Sequence, residues 1–507
     1  IEIVRGPGSA LYGADAVGGV VNIITKKPAG SSTTLSGSVG QYQSSPEGRP
    51  VHHRWNTDTA LRNTAKQGGI YYVLTGEDEH SAGYRINSKL KKQDAGLRVG
   101  YEFSPDSSAE VWTNYLYKEI GVPGMTMAPT PNAEQLSRDF TTGASYKARL
   151  AQAVDIKINA SDRKNKLNYT DPDSFPALDS THKTDTKSAD AQISVLAGSW
   201  NLFTVGGETR RDSLDSTDSG SHAATLKAYY LQDEISMGDS LIVVLGARND
   251  KHSVYGSQWS PKASGRYLIA SSGTIIRASY GESFRAPTFN DLYWPYSSSS
   301  YAGVTYITVG NPALRPEKAK EYEGGIEQQF GKKNAITVTA FKRKVKDLIQ
   351  WDGTFGTNTV QFQPRNIGRA RISGYEAEAK FALSDTVQWK LNYTRLFPVD
   401  ETTGQRITSS ASPIADAQAG TSFMAALDKQ TVLALDGHWV RNYVAAGDPR
   451  WQYYVVNGKI TDTVASGKDL KMDVFLGMNN LFNRKYEVSK GYPMPPQELY
   501  GGVTLTF

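Results

Sequence analysis

Residues 188–198 read SADAQISVLAG. Ala189, Ala191, Ile193, Val195 and Ala197 share one parity, and Ser188, Asp190, Gln192 and Ser194 share the other. Successive side chains of a strand point to opposite faces, so this stretch is a strand with one apolar and one polar side. Gly198 then supplies a tight turn. The theme repeats from about residue 35 to the end of the chain. Ala224, Leu226, Ala228 and Tyr230 oppose Thr225, Lys227, Tyr229 and Asp233. Leu470, Met472, Val474, Leu476 and Met478 oppose Lys471, Asp473 and Asn479. A soluble antiparallel sheet alternates as well, so the connections between strands must decide.

Those connections sort by length. Tight turns fall at Gln152, Gly198, Met237-Gly238, Ser271, Gly331-Lys332 and Ser384-Asp385. Between them lie long polar segments at 120–140, 163–187, 211–222, 281–318, 348–370, 397–414 and 479–498. Short turns at one rim and long loops at the other are the layout of a transmembrane antiparallel β-barrel, and an all-β barrel of about 22 strands is expected. An even count returns the C-terminus to the short-turn rim. The chain closes on Leu499, Gly501, Val503, Leu505 and Phe507 opposite Tyr500, Thr504 and Thr506. A last strand ending in Phe is a usual feature of bacterial outer-membrane barrels.

Composition agrees. Among 507 residues, 28 are Tyr against 16 Phe and 9 Trp, and the mean hydropathy is −0.46. No segment approaches the ~18 consecutive apolar residues of a membrane helix, as expected when each strand wets one face. The net charge of +5 is spread thinly, which disfavours nucleic acid. The chain has no cysteine, which excludes disulfides, thiolate metal sites and thiol nucleophiles. Its histidines show no metal spacing beyond the adjacent His52-His53, and no Ser–His–Asp elbow or phosphate loop appears, so no enzyme is expected.

Residues 1–30 read differently. Arg5-Gly6-Pro7, Leu11-Tyr12-Gly13 and the run Gly18-Gly19-Val20-Val21-Asn22-Ile23-Ile24 closely resemble the end of the plug domain of TonB-dependent outer-membrane receptors. SYGESFRAPTFNDLY at 279–293, GNPALRPEKAKEYEGGIE at 310–327 and NNLFNRKYE at 479–487 are similar to further elements of that family, in the same order. The resemblance implies residues 1–30 as the C-terminal end of a plug and 31–507 as the barrel. It also implies a monomer in the outer membrane of a Gram-negative bacterium, surrounded by lipid and lipopolysaccharide. The family takes up a scarce metal chelate and is energised by the TonB-ExbB-ExbD complex. A complete plug is several times longer, and the TonB-coupling segment precedes it, so the chain is expected to be partial, with a leader further upstream.

Strand parity then assigns the charged groups. Tyr322 and Ile326 suit lipid, which turns Glu321, Glu323 and Glu327 into the lumen; Tyr375, Ala377, Ala379 and Phe381 suit lipid, which turns Glu376, Glu378 and Lys380 inward. Lys or Arg on the lipid side at mid-depth would cost about 2–4 kcal/mol. A buried arginine needs a carboxylate, and pairing of Arg5 with these glutamates is expected; the alternative is that they line solvated wall. Ligand capture is expected at the long-loop rim, by Tyr293, Trp294, Tyr296, Tyr301 and Tyr306 in one loop and by Met125 and Met127 after Gly121-Val122-Pro123-Gly124 in another. An interfacial girdle is the plainer use of such aromatics. Asp171, Asp173 and Asp179 in one loop and Asp212, Asp215 and Asp218 in another could bind a structural Ca²⁺, or merely stay solvated; no other cofactor is expected. Residues 288–310 hold no histidine, which disfavours haem. The paired stretches 279–293 and 310–327, the barrel length and the Gly121-Val122-Pro123-Gly124 loop look most cobalamin-receptor-like, which puts cobalamin ahead of a ferric siderophore as the expected cargo. The contrasting class, a passive porin or adhesin barrel, lacks the plug elements.

Overall fold

Hydrocarbon offers no partner to a backbone amide, so a lipid-facing sheet must close on itself. In the computed structural model, 22 antiparallel strands do so. The structure describes residues 2–6, 8–14, 16, 18–47, 55–301, 303–366, 368–407, 414–444, 448 and 450–507. The first barrel strand, Ser32–Tyr42, pairs with the last, Glu498–Thr506, from Thr34↔Thr506 to Tyr42↔Glu498. Thr33 and Phe507 exchange both backbone hydrogen bonds, at 3.0 and 2.8 Å, and finish the seam. The terminal Phe thus belongs to the ring closure.

Register fixes which side faces out. Ile193 lies between Ile156 and Val205, and Ala189 between Ala160 and Thr209. The row Val338–Ala377–Tyr393–Ala419–Trp439 continues the same outer face elsewhere in the wall. Leu74, Leu97, Val99, Val111, Ile193, Val205, Ile326 and Val338 are exposed on it, which makes an apolar belt. Rings flank the belt: Tyr101, Phe103 and Tyr146 near the tight turns, and Tyr280, Tyr322, Tyr375 and Phe397 towards the other rim.

All six expected tight turns fall on one rim. The opposite rim differs from expectation in two places. The segments 163–187 and 211–222 are not loops: the strands Val154–Asp171 and Leu178–Ala197 are joined only by 172–177, and Asn201–Ser216 and Gly220–Met237 only by 217–219. A further connection at that rim, 253–255, is equally short. These strands continue beyond the apolar belt. With water on both sides, both faces turn polar, and cross-strand pairs such as Thr186 Oγ1 donating to Asp212 (2.8 Å) hold the ladder.

One apolar set faces inward. Ala224, Leu226, Ala228 and Tyr230 are buried in the lumen, whereas Thr225, Lys227 and Tyr229 point outward. The lumen here is filled. Residues 2–22 form a two-stranded sheet, Glu2–Arg5 against Gly19–Asn22, with a short helix Ser9–Tyr12 between them. That helix packs on the strands Leu241–His252, Gly256–Ile269 and Thr274–Arg285.

Inside the wall, large rings lie across glycines of the next strand. A Cβ built on Gly100 would lie 2.2 Å from the Tyr71 ring, on Gly206 2.3 Å from Tyr230, and on Gly477 2.3 Å from Tyr500. Tyr71 is fully buried, and its hydroxyl donates to Glu110 at 2.9 Å. Substituting Gly100→Ala should therefore displace Tyr71 and lower barrel stability by about 1–3 kcal/mol. Urea unfolding in detergent, followed by heat-modifiable gel mobility, checks this; an unchanged midpoint would show that the ring moves freely.

Candidate functional site: the lumen contacts and the long-loop rim

The N-terminal segment meets the wall through backbone and glycine. Arg248 is buried in the lumen, where its Nη2 reaches Glu208 at 2.7 Å and Asp250 at 2.8 Å. Its Nη1 donates to the carbonyl of Leu11 at 3.4 Å. Gly13, at φ +77°, abuts it: a Cβ there would lie 2.9 Å from Nη2 and would also strain the backbone. Gly18 faces Arg343, whose guanidinium pairs with buried Glu321. A Cβ on Gly6 would lie 3.4 Å from carboxylate oxygens of both Glu321 and Glu323. At Gly6, Gly13 and Gly18 the missing side chain is what lets charged groups of the wall lie close to the backbone.

The side chain of Arg5 lies outside the described residues, but its neighbour Gly6 sits against two of the expected glutamates. Glu321 already holds Arg343, and Glu327 holds Arg277 at 2.6 Å. Glu323, Glu327, Glu378 and Lys380 line a luminal cavity of about 670 Å³ together with Ile3. Glu376 shares the face of Glu378 and Lys380, opposite Thr339. Sequence reasoning found these glutamates by parity and missed Arg248, which carries no pattern of its own in the run Gly246-Ala247-Arg248-Asn249-Asp250.

At the long-loop rim two assemblies stand apart. In the first, Thr288 caps the helix Phe289–Tyr293 through a reciprocal capping box with Asp291. Strands Ser297–Tyr301 and Val304–Thr308 join Thr359–Asn366 and Ile349–Phe355 from the next long loop, making a four-stranded sheet. Leu292, Leu314 and Ile349 form its small core. The expected adaptable loop is therefore largely folded. Tyr293 stacks flat on His222 at 3.5 Å and acts as a support. Trp294 packs edge-on to Trp351 at 5.7 Å; both remain exposed, as do Tyr296 and Tyr306. The Tyr301 side chain lies outside the described residues. Trp351 was missed because the rings of its loop, Trp351, Phe355 and Phe362, are spaced more widely than those of 293–306, and only the folded sheet brings Trp351 against Trp294.

In the second assembly, Asn87 Nδ2 donates to the carbonyls of Val122, Thr130 and Ala133 at 3.2, 2.8 and 2.6 Å. Buried Arg85 bonds Glu47 at 3.1 Å and the carbonyl of Gly124 at 2.9 Å. Burial pushes the neighbouring Tyr84 hydroxyl up from its ordinary range. Met125 packs on Gly491, and Met127 is exposed. The methionines and the tyrosine set thus belong to different assemblies. A third loop is pinned by Arg450, whose Nη2 meets Asp448 at 2.6 Å and holds its carboxyl down at about 2.

The aspartates do not converge. Asp179, Asp212 and Asp215 lie within strands, with Asp212 turned to the lumen and Asp215 to the outside. Asp171 accepts from the Asp173 amide at 3.1 Å, and Asp173 in turn accepts from Asn132 at 3.0 Å. Asp212 accepts from Arg210, Asp215 from Ser221 and Asp218 from Ser180, at 3.0, 2.9 and 3.0 Å. Among the described residues no three His, Asp or Glu side chains are grouped to hold a metal ion.

Arg248→Ala would leave buried Asp250 and half-buried Glu208 without their cation, at a cost of about 3–5 kcal/mol. It should expose Gly19–Asn22 to limited proteolysis, with Gly13→Ala giving the same pattern more weakly; protection equal to wild type in both would refute the latch. For the third loop the depressed carboxyl sets the sign. Its contribution is present above the ordinary Asp value of 3.8 and is lost as pH falls through about 2. Hydrogen exchange at the Trp451 amide, bonded to the Asp448 carbonyl at 2.8 Å, should stay slow until then, and Arg450→Gln should move its loss to higher pH.

Comparison with known proteins places this architecture. The family model "TonB dependent receptor-like, beta-barrel" matches residues 27–481. The chain is similar to two proteins described as vitamin B12 transporter BtuB from Vibrio vulnificus. One, from strain YJ016, is 27% identical over 75% of this chain and 59% of its own length. The other, from strain CMCP6, is 23% identical over 100% of this chain and 79% of its own length. Among solved structures, the siderophore receptor PirA of Pseudomonas aeruginosa superposes with a TM-score of 0.79 at 18% identity, covering 100% of this chain and 86% of that one. A mutant of the ferric enterobactin receptor PfeA from the same organism gives 0.82 at 18%, covering 100% and 84%. At that identity the likeness is one of fold.

Proposed function

The chain belongs to the TonB-dependent receptor family, and on that premise we propose that it is the barrel part of an active importer of a large metal chelate, with cobalamin as the cargo. The observation that carries this is the division of the molecule into a filled lumen and a structured aromatic rim. A charged wall grips the N-terminal segment through Arg248 and the glycines Gly6, Gly13 and Gly18. Passive diffusion gains nothing from such an obstruction; transport that must open on demand requires one. The sheet carrying Trp294 and Trp351 presents rigid rings with polar edges, which suits a bulky, partly polar ligand.

Cobalamin is favoured over a ferric siderophore by sequence. The support is the likeness to two proteins described as vitamin B12 transporters, at 27% and 23% identity, while the siderophore receptors are similar in fold. The residues assigned to capture are Trp294, Trp351, Tyr296 and Tyr306, with Met125 and Met127 on the other loop assembly. Binding would occur at this rim. A TonB-driven pull on the plug from the opposite side would then open a path past the Glu323–Glu327–Glu378 wall. In that scheme Arg5 pairs with Glu321 or Glu323, and charge reversal at Glu323 would loosen the plug. The chain makes and breaks no covalent bond, and its place is the outer membrane.

Equilibrium binding of cyanocobalamin and of ferric enterobactin to the full-length protein tests the assignment. Cyanocobalamin should bind, and Trp294→Ala and Trp351→Ala should each cost about 2 kcal/mol, roughly thirty-fold in Kd. Tight binding of the siderophore alone would transfer the assignment to iron uptake. Binding of neither, with free passage of small solutes through a planar bilayer, would favour a porin.

A further inference from the structure

The outer surface holds a groove away from the lumen and the long-loop rim. On the lipid-facing side, the strands Arg369–Ala382, Val387–Asp400, Ala415–Ala426 and Thr431–Asn442 bound a groove of about 500 Å³. Small residues make its floor: Ala377, Ala379, Ala419 and Gly437. Tyr393 and Trp439 stand at its sides on one row of the register. The next row towards the long-loop rim is Tyr375–Arg395–Ala417–Arg441, two residues or roughly 6–7 Å higher. Two arginines thus stand directly over the mouth of the groove, where the apolar belt ends.

They are fixed there. Asp416, itself buried, accepts from Arg395 Nη1 at 2.8 Å and from Arg441 Nε at 3.0 Å, and Arg406 Nη2 comes within 3.7 Å. Arg395, Arg406 and Arg441 each lie near a ring, Phe397, Tyr443 and Trp439, at 5.2, 4.3 and 5.9 Å. Three guanidinium groups share one carboxylate, which leaves a surplus of two positive charges. The buried Nε of Arg406 has no hydrogen-bond partner among the described residues. A guanidinium offers five donors, and Asp416 occupies few of them. Lys342 and Lys344 extend the positive surface on the neighbouring strand.

An apolar groove capped by a preorganised cationic cluster is complementary to one kind of molecule, an anionic amphiphile. Resting on the reading of this chain as a membrane barrel, we propose that this face binds one phosphate-bearing lipid of the leaflet on the long-loop side. An acyl chain lies along Ala377, Ala419 and Gly437, and a phosphate is held between Arg395 and Arg441. Asp416 is the positioning residue that holds the two guanidinium groups at phosphate-clamping distance. A free anion would use the arginines and leave the groove; a neutral lipid would use the groove and leave the arginines.

Native mass spectrometry of the detergent-solubilised protein, after delipidation and exchange against defined probes, tests this. Lipid A should bind, and dephosphorylated lipid A and inorganic phosphate should each bind at least ten-fold more weakly. Arg395→Gln combined with Arg441→Gln should lose lipid A at least ten-fold. Ala419→Trp, which fills the groove and leaves the arginines, should do the same. Lys183→Gln, elsewhere on the outer surface, should bind as wild type does, and heat-modifiable mobility certifies the fold of each variant. Equal retention of phosphorylated and dephosphorylated lipid, or wild-type retention by both groove and arginine variants, overturns the proposal. Protection by inorganic phosphate equal to that by lipid A overturns it too. Cargo uptake measured in the same variants separates the two readings: lipid loss with intact uptake leaves the receptor assignment standing, and loss of cargo binding alone leaves the lipid site standing.

Discussion

Closure of the hydrogen-bond ladder is the constraint from which the rest of the molecule follows. In hydrocarbon, each unpaired backbone group costs several kcal/mol, so the edges of the first and last strands must meet. The exchange between Thr33 and Phe507 completes that seam. Once the ring is closed, parity is no longer a local choice. A slip of one residue anywhere would turn Ile193 and Val205 to the lumen and Asp190 and Gln192 to lipid. Twenty-two strands also leave an interior that side chains alone cannot fill. The obstruction in the lumen is thus a consequence of the wall's size, and the wall's inner charges are placed to hold it.

How those charges hold the N-terminal segment is chemically economical. Arg248 pairs with two carboxylates within the wall and turns a remaining donor to a main-chain carbonyl. The partner surface offers glycines, so contact depends on backbone shape. A grip of this kind releases without leaving a carboxylate unpaired, because Glu208 and Asp250 retain Arg248 whether or not Leu11 is present. That suits a segment that must stay put and yet be removable.

The sequence made the strands, their facing and the rim of tight turns legible, because each depends on period two or on turn residues. Glu321, Glu323 and Glu378 were found as inward groups for the same reason. Other features left no trace along the chain. The strands Val154–Asp171 and Leu178–Ala197 outrun the apolar belt, and a strand wet on both faces reads like a loop. Ala224, Leu226 and Ala228 are apolar yet buried and inward, which parity alone does not reveal. The pairs Gly100–Tyr71 and Gly206–Tyr230 are cross-strand partners and exist only once the register is known. Asp416 and its three arginines come from three strands and a loop, and no spacing announces them.

The overlong strands have a mechanical consequence. On the side of residues 154–237 the mouth is a stiff palisade, whose ladder of backbone bonds resists bending far from the bilayer. On the side of the segments joining 285 to 317 and 346 to 369, it is one small four-stranded sheet carried on two long connections. A solute arriving from outside therefore meets two unlike lips: a wall of continuous barrel strands on one half of the entrance and a separately folded sheet on the other.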